Sequence, residues 1–157
     1  VYFHALKRVS TMKLIEPLVA WKDEITAIRR DIHAHPELAY EEVRTADVVA
    51  NNLESWGIPV HRGLGVTGVV GTIKGRTDNG KAVGLRADMD ALPMQETNTF
   101  DHASQHAGKM HACGHDGHTA MLLAAARYLA ESRDFDGTVY TVGPEVLDVV
   151  SSRLSML

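Results

Sequence analysis

Apolar residues recur at helical spacing along the first third of the chain and at strand-like spacing beyond it. From Pro17 to Pro36, Leu18, Trp21, Ile25, Ile28 and Ile32 are spaced by three or four, while Lys22, Asp23, Arg29 and Arg30 fall largely on the other faces. That pattern predicts one amphipathic helix with a buried stripe, opened by a proline in its first turn and ended just before Pro36. A second helix is predicted from about Glu41 to Trp56, with Val43, Ala46, Ala50 and Leu53 on one face. Its first turn is acidic at Glu41 and Glu42, as the helix dipole prefers, and Gly57 suits the position just past its end.

Short β signals follow at Ile58 to His61, Gly68 to Ile73 and Val83 to Ala87, separated by turn-rich sequence from Arg62 to Gly65 and from Gly75 to Gly80. Asn98 to Lys109 is polar, carries His102 and His106, and reads as a loop. Thr119 to Ala130 is apolar nearly all round and predicts a buried helix. After the turn D-F-D-G, Thr138 to Val142 is one more strand. Helices interleaved with strands in this order predict a layered α/β domain.

Composition narrows the field of functions. At 157 residues the chain is long enough for one domain with a sizeable core. A formal net charge of -4 offers no basic footprint, so nucleic acid is not an expected partner. The single Cys excludes an intrachain disulfide framework and fits a reducing, cytoplasmic setting. No apolar run reaches membrane-spanning length, so no membrane association is expected. Residues Val1 to Thr11 show no period and precede Met12, which predicts a leader or cloning-derived stretch with Met12 as the natural start.

The chemistry concentrates in M-H-A-C-G-H-D-G-H-T-A-M-L-L, where His111, Cys113, His115, Asp116 and His118 crowd together before the apolar helix. Cys, His and Asp offer the S, N and O donors that bind borderline-soft divalent metals. Gly114 and Gly117 allow the tight backbone that would fold such ligands inward, so the run predicts a ligand-bearing loop leading into a helix N-terminus. Upstream, R-A-D-M-D-A-L-P puts Asp88 and Asp90 at the carboxyl end of a strand, where α/β sheets build their sites. If extended, both carboxylates share one face; the alternative is a polar loop after a strand. His33 and His35, in R-R-D-I-H-A-H-P-E, read as helix-end side chains satisfying the last carbonyls.

Three segments, R-R-D-I-H-A-H-P-E-L-A-Y-E-E, G-L-R-A-D-M-D-A-L-P-M-Q-E and K-M-H-A-C-G-H-D-G-H-T-A-M-L-L, stand in the order found in one family. From about Met12 to Val139 the chain resembles bacterial N-acyl-amino-acid amidohydrolases of the hippurate hydrolase type. These form the amidohydrolase branch of the aminoacylase and carboxypeptidase G-like metallopeptidases, with plant auxin-conjugate hydrolases among them. The resemblance implies a three-layer α/β/α catalytic domain, here incomplete over residues 12–140. It also implies two divalent ions (zinc, manganese, nickel or cobalt), small N-acyl amino acid substrates, and a homodimer or tetramer built by an inserted domain. Cys113 and His115 match the first two metal-binding positions. Asp88 and Asp90 match a pair beside the site in which the second Asp orients a metal-bound His; Asp116 and His118 are expected around the ligands.

The resemblance ends abruptly. Relatives continue from F-D-G-T-V through a strand to Q-P-A-E-E-G, whose Glu pair supplies the general base and a metal ligand. By count from Gly137 that pair falls here on Leu147 and Asp148, and Glu145 stands one residue too early. No catalytic base is identifiable, and residues 141–157 are expected to be a divergent tail of a truncated or frame-shifted product with little turnover alone. Two alternatives stand beside the amidohydrolase. One is a non-catalytic module in which His106, His111, Cys113 and His115 close a structural zinc site; the other is an inert fragment binding no metal.

Overall fold

The computed structural model describes residues 14–143. The expected leader, the Met12 start and most of the divergent tail lie outside the described residues.

Two helices occupy the place of the single one expected before Pro36: α1 (Glu16–Ala20) and α2 (Lys22–Ala34). Hydrogen bonds of helical span run through their junction, from the Trp21 amide to Pro17 O at 3.1 Å and from Ile25 to Trp21 O at 2.9 Å. The two pieces are therefore nearly continuous. Of the predicted stripe only Ile32 is fully buried, and Leu18, Trp21, Ile25 and Ile28 are half-buried. Helix α3 (Val43–Ser55) buries Ala46, Val49, Ala50 and Leu53, whereas Val43, expected on that face, is 63% exposed at the helix's first position. Gly57 takes φ +71°, the left-handed conformation its place past the helix end calls for.

Four strands follow the expected positions with shifted limits: β1 (Val60–Leu64), β2 (Gly68–Lys74), β3 (Thr77–Arg86) and β4 (Asp136–Val142). Residues 62–64, predicted as a turn, continue β1. The second predicted turn is largely absorbed into β3. Asp78 Oδ1 accepts from the Gly80 amide at 2.9 Å and Asn79 Oδ1 from Lys81 at 2.8 Å. These local bonds produce a register irregularity between Thr77 and Ala82 rather than a strand end.

The sheet order is β1-β2-β4-β3, with β4 antiparallel to β2 and parallel to β3. The parallel pair needs a crossover, which α4 (His115–Ser132) supplies. Leu53 and Ala50 of α3, Leu123 and Ala126 of α4, Val69 and Ile73 of β2, and Met89 form the core between helices and sheet. Helix α4 is not buried all round as expected, since Met121 is 63% exposed. Its start falls four residues before the predicted Thr119, so His115, Asp116 and His118 belong to its first turn and not to a loop. The α/β class expected from the element order is the one observed. No helix among the described residues is long and apolar enough to cross a membrane.

Candidate functional site

Parallel pairing of β3 with β4 brings both carboxyl ends to one sheet edge, with Arg86 opposite Val142. Helix α4 runs back from that edge, so residues 87–92 meet the helix start there. Gly114, at the N-cap position with φ +81°, provides the sharp entry. Its amide donates to His111 O at 3.4 Å, and its carbonyl accepts from the Gly117 and His118 amides at 2.9 and 3.0 Å and opens the helix. Cys113 is thereby left exposed on the turn, one residue before the N-cap.

His115, the first helical residue, turns its ring onto Asp90: Nδ1 lies 2.9 Å from both Oδ1 and the main-chain oxygen. Two acceptors at one ring nitrogen place the hydrogen there and leave Nε2 as the lone-pair donor. Asp88 does not join it. Its carboxylate pairs with Arg86 at 2.6 Å, while its main-chain oxygen accepts from Thr119 Oγ1 at 3.1 Å. The two aspartates, expected on one face, thus go to different partners: Asp90 to His115 and Asp88 to Arg86. His118 is exposed, with its ring centroid 5.5 Å from that of His115.

Asp116 faces the other way. Fully buried, it offers Oδ2 to Arg29 Nε at 2.9 Å and to His33 Nδ1 at 2.8 Å. Burial pushes its carboxyl up, but the His33 bond, the Arg29 charge and the Gly117 amide outweigh this and hold it below the usual carboxylate value. His33 Nε2 meets Glu96 Oε1 at 3.1 Å, so this ring, expected only to finish a helix, bridges two buried carboxylates. His35 does what was expected of both, its Nδ1 lying 2.8 Å from Asp31 O near the helix end. Glu96 is likewise held low: bonds from Asn98, the Ser104 amide and His33 overcome the raising effect of burial. Neither His33 nor Glu96 carries a local signal of this role, because their partners lie far along the chain.

His111 is 4% exposed, and neither ring nitrogen has a hydrogen-bond partner among the described residues. Burial pushes its imidazole down to about 4 against the raising charge of Asp116, with His33 and His115 adding to the lowering. It is a neutral ring at physiological pH. His106 stacks edge-on with His35 at 5.9 Å, in a different part of the loop. Among the described residues no group of three or more His, Cys, Asp or Glu side chains could hold a metal ion. A closed zinc site from His106, His111, Cys113 and His115 is therefore not formed. What the edge does present is a free thiol and a tautomer-fixed imidazole, a donor pair that suits part of a divalent ion's shell.

Residues 84–143 match the model of peptidase family M20/M25/M40. The hippurate hydrolase of Campylobacter jejuni is 47% identical over 128 residues, which is 82% of this chain and 33% of that protein. An N-acyl-L-amino acid amidohydrolase of Geobacillus stearothermophilus is 49% identical over 113 residues, 72% of this chain and 30% of the relative. Among solved structures, the YXEP protein of Bacillus subtilis, a dinuclear metal binding peptidase from the M20 family, superposes with TM-score 0.76 at 41% identity. That match covers 80% of this chain and 35% of the other. The chain thus spans about a third of the length of the relatives it matches. Residues 84–143 thus carry sequence of peptidase family M20/M25/M40, and the chain as a whole is similar to the N-terminal part of its amidohydrolases.

Proposed function

We propose that this chain contributes the Cys–His part of a divalent-metal centre in an amidohydrolase acting on N-acyl amino acids. The observation that carries the reading is the His115–Asp90 contact at 2.9 Å, with the exposed Cys113 two residues away at the same sheet edge. Cys113 and His115 would hold the ion, and when bound it would supply Lewis acidity and a water of lowered pKa. Asp90 fixes the His115 tautomer and ring direction, which keeps Nε2 available. Asp88, engaged with Arg86, shapes the strand end and does not serve as a ligand in this reading. Small N-acyl amino acids of the kind named for the relatives are the substrates proposed for the family site. A cytoplasmic setting belongs to the same reading and rests on the single cysteine.

The decisive experiment titrates the purified 157-residue chain with cobalt(II) and follows thiolate-to-metal charge-transfer absorption. Weak binding of a divalent ion that disappears in Cys113→Ala and in His115→Ala is expected. Turnover of N-benzoylglycine is expected to be absent or slight, because no base glutamate stands at the position matching the relatives. Wild-type binding that survives both substitutions would refute the assignment.

A further inference from the structure

His33 enters no part of the reading above, yet it is 4% exposed and ties three segments together. On one side, Nδ1 reaches Asp116 Oδ2 at 2.8 Å in the first turn of α4. On the other, Nε2 reaches Glu96 Oε1 at 3.1 Å in the loop that Leu92 and Met110 close by exchanging main-chain bonds of 2.9 and 3.0 Å. Glu96 organises that loop through the Asn98 side chain at 2.9 Å and the Ser104 amide at 2.5 Å. The neighbouring Gln105 amide then reaches back to Ala34 O at 2.8 Å, on the helix that carries His33. The loop is therefore tied to the end of α2 twice, by Glu96 on the His33 ring and by Gln105 on the Ala34 carbonyl.

We infer that His33 is a positioning residue for the Cys113–His115 pair, acting as a strut that fixes Asp116, and through it the turn entering α4. The inference rests on the metal reading of that pair. Its physical basis is that Asp116 is the immediate neighbour of His115 and has no freedom to swing: one carboxylate oxygen takes both Arg29 and His33. Both ring nitrogens face carboxylates, Asp116 Oδ2 at 2.8 Å and Glu96 Oε1 at 3.1 Å, so the ring has no unused polar edge. Removing the ring leaves two buried carboxylates short of a donor, and the first turn of α4 must shift to find others. A ligand pair holds an ion tightly only while its geometry is kept within a fraction of an ångström.

The test is a cobalt(II) titration of the full chain, with far-UV circular dichroism melts as the folding control. In His33→Gln the dissociation constant of the folded protein is expected to rise about tenfold or more. Glu96→Gln, which keeps an acceptor for Nε2, is expected to stay within about threefold of wild type. A His33→Gln protein that melts lower but binds cobalt as wild type does would make His33 a structural brace only and overturn the inference. Should His33→Gln not fold, Arg29→Gln removes the other donor to the same oxygen from a half-exposed position. That variant is expected to lose about threefold in cobalt affinity, and unchanged affinity would overturn the strut. If wild-type protein shows no charge-transfer band, the metal reading fails, and amide hydrogen exchange decides the inference instead. The amides from Cys113 to His118 must then exchange about tenfold faster in His33→Gln relative to those of α3; an unchanged ratio overturns it.

Discussion

The Nδ1 atom of His115 sits at 2.9 Å from two oxygens of a single residue, the carboxylate Oδ1 and the main-chain O of Asp90. The contact joins the end of a strand to the start of a helix and decides which ring nitrogen can bind an ion. In Asp90→Ala the main-chain acceptor remains but the charged one is lost. Divalent-ion affinity should fall about 10- to 100-fold, measured by competition with a chromogenic chelator. The melting temperature should change little, because the Asp90 side chain is 26% exposed and leaves no buried partner charge.

Stability should depend on pH through His111. Its folded-state value near 4 lies below the ordinary 6.5, so on acidification the unfolded chain takes up this proton first. The contribution is fully present above pH 6.5 and is lost as pH falls toward about 4, by a few kcal/mol at most. Below that window, the lowered carboxyls of Asp116 and Glu96 add a further loss, since the unfolded chain protonates them before the native one does. Urea midpoints at successive pH values check this. His111→Asn should flatten the slope between 6.5 and 4 and leave the lower one.

Arg127 provides a stability test remote from the site. Its guanidinium lies 4.1 Å from the Trp21 ring centroid and 5.4 Å from that of Trp56, and it pairs with Glu24 at 2.7 Å and Glu131 at 3.1 Å. One side chain of α4 thus clamps the α1–α2 junction and the end of α3. Arg127→Ala should cost about 1–2 kcal/mol in urea unfolding, mostly from lost stacking, since the glutamates are about half exposed. Lysine should restore only part of this, because it cannot lie flat on an indole.

Gly137 has φ +102°, and a methyl group there would run into the Lys81 carbonyl of the neighbouring strand. Gly137→Ala should therefore cost about 2 kcal/mol or more, from backbone strain and the displaced ladder together. Thermal melts of the variant beside Gly80→Ala separate the two effects. Gly80 shares a positive φ of +74°, but a methyl group there meets nothing within 4 Å.

Periodicity located the main helices and strands where each has its own apolar pattern, as Ala46, Ala50 and Leu53 on α3 illustrate, but it merged α1 and α2 into one. Limits went astray where local chemistry has two outlets. The Asp78–Gly80 stretch has the residues of a turn and uses them for a bulge within β3. Asp88 and Asp90 look equivalent in the sequence, yet Arg86 claims one and His115 the other. The bridge from His33 to Asp116 and Glu96 was invisible, since nothing near His33 distinguishes it from His35, whose helix-end role the same reasoning anticipated.

Strands β3 and β4 are side by side although the long loop and all of α4 separate them in the chain. A parallel ladder of this kind cannot zip outward from a tight turn, as the β1–β2 hairpin can. It forms only after a large segment has been closed, at an entropic cost that precedes any ladder bond. During refolding the hairpin and helices would thus be in place first, and Asp90 would receive His115 in a late, rate-limiting step. Cysteine accessibility followed in time would see this order, with the thiol's surroundings maturing last.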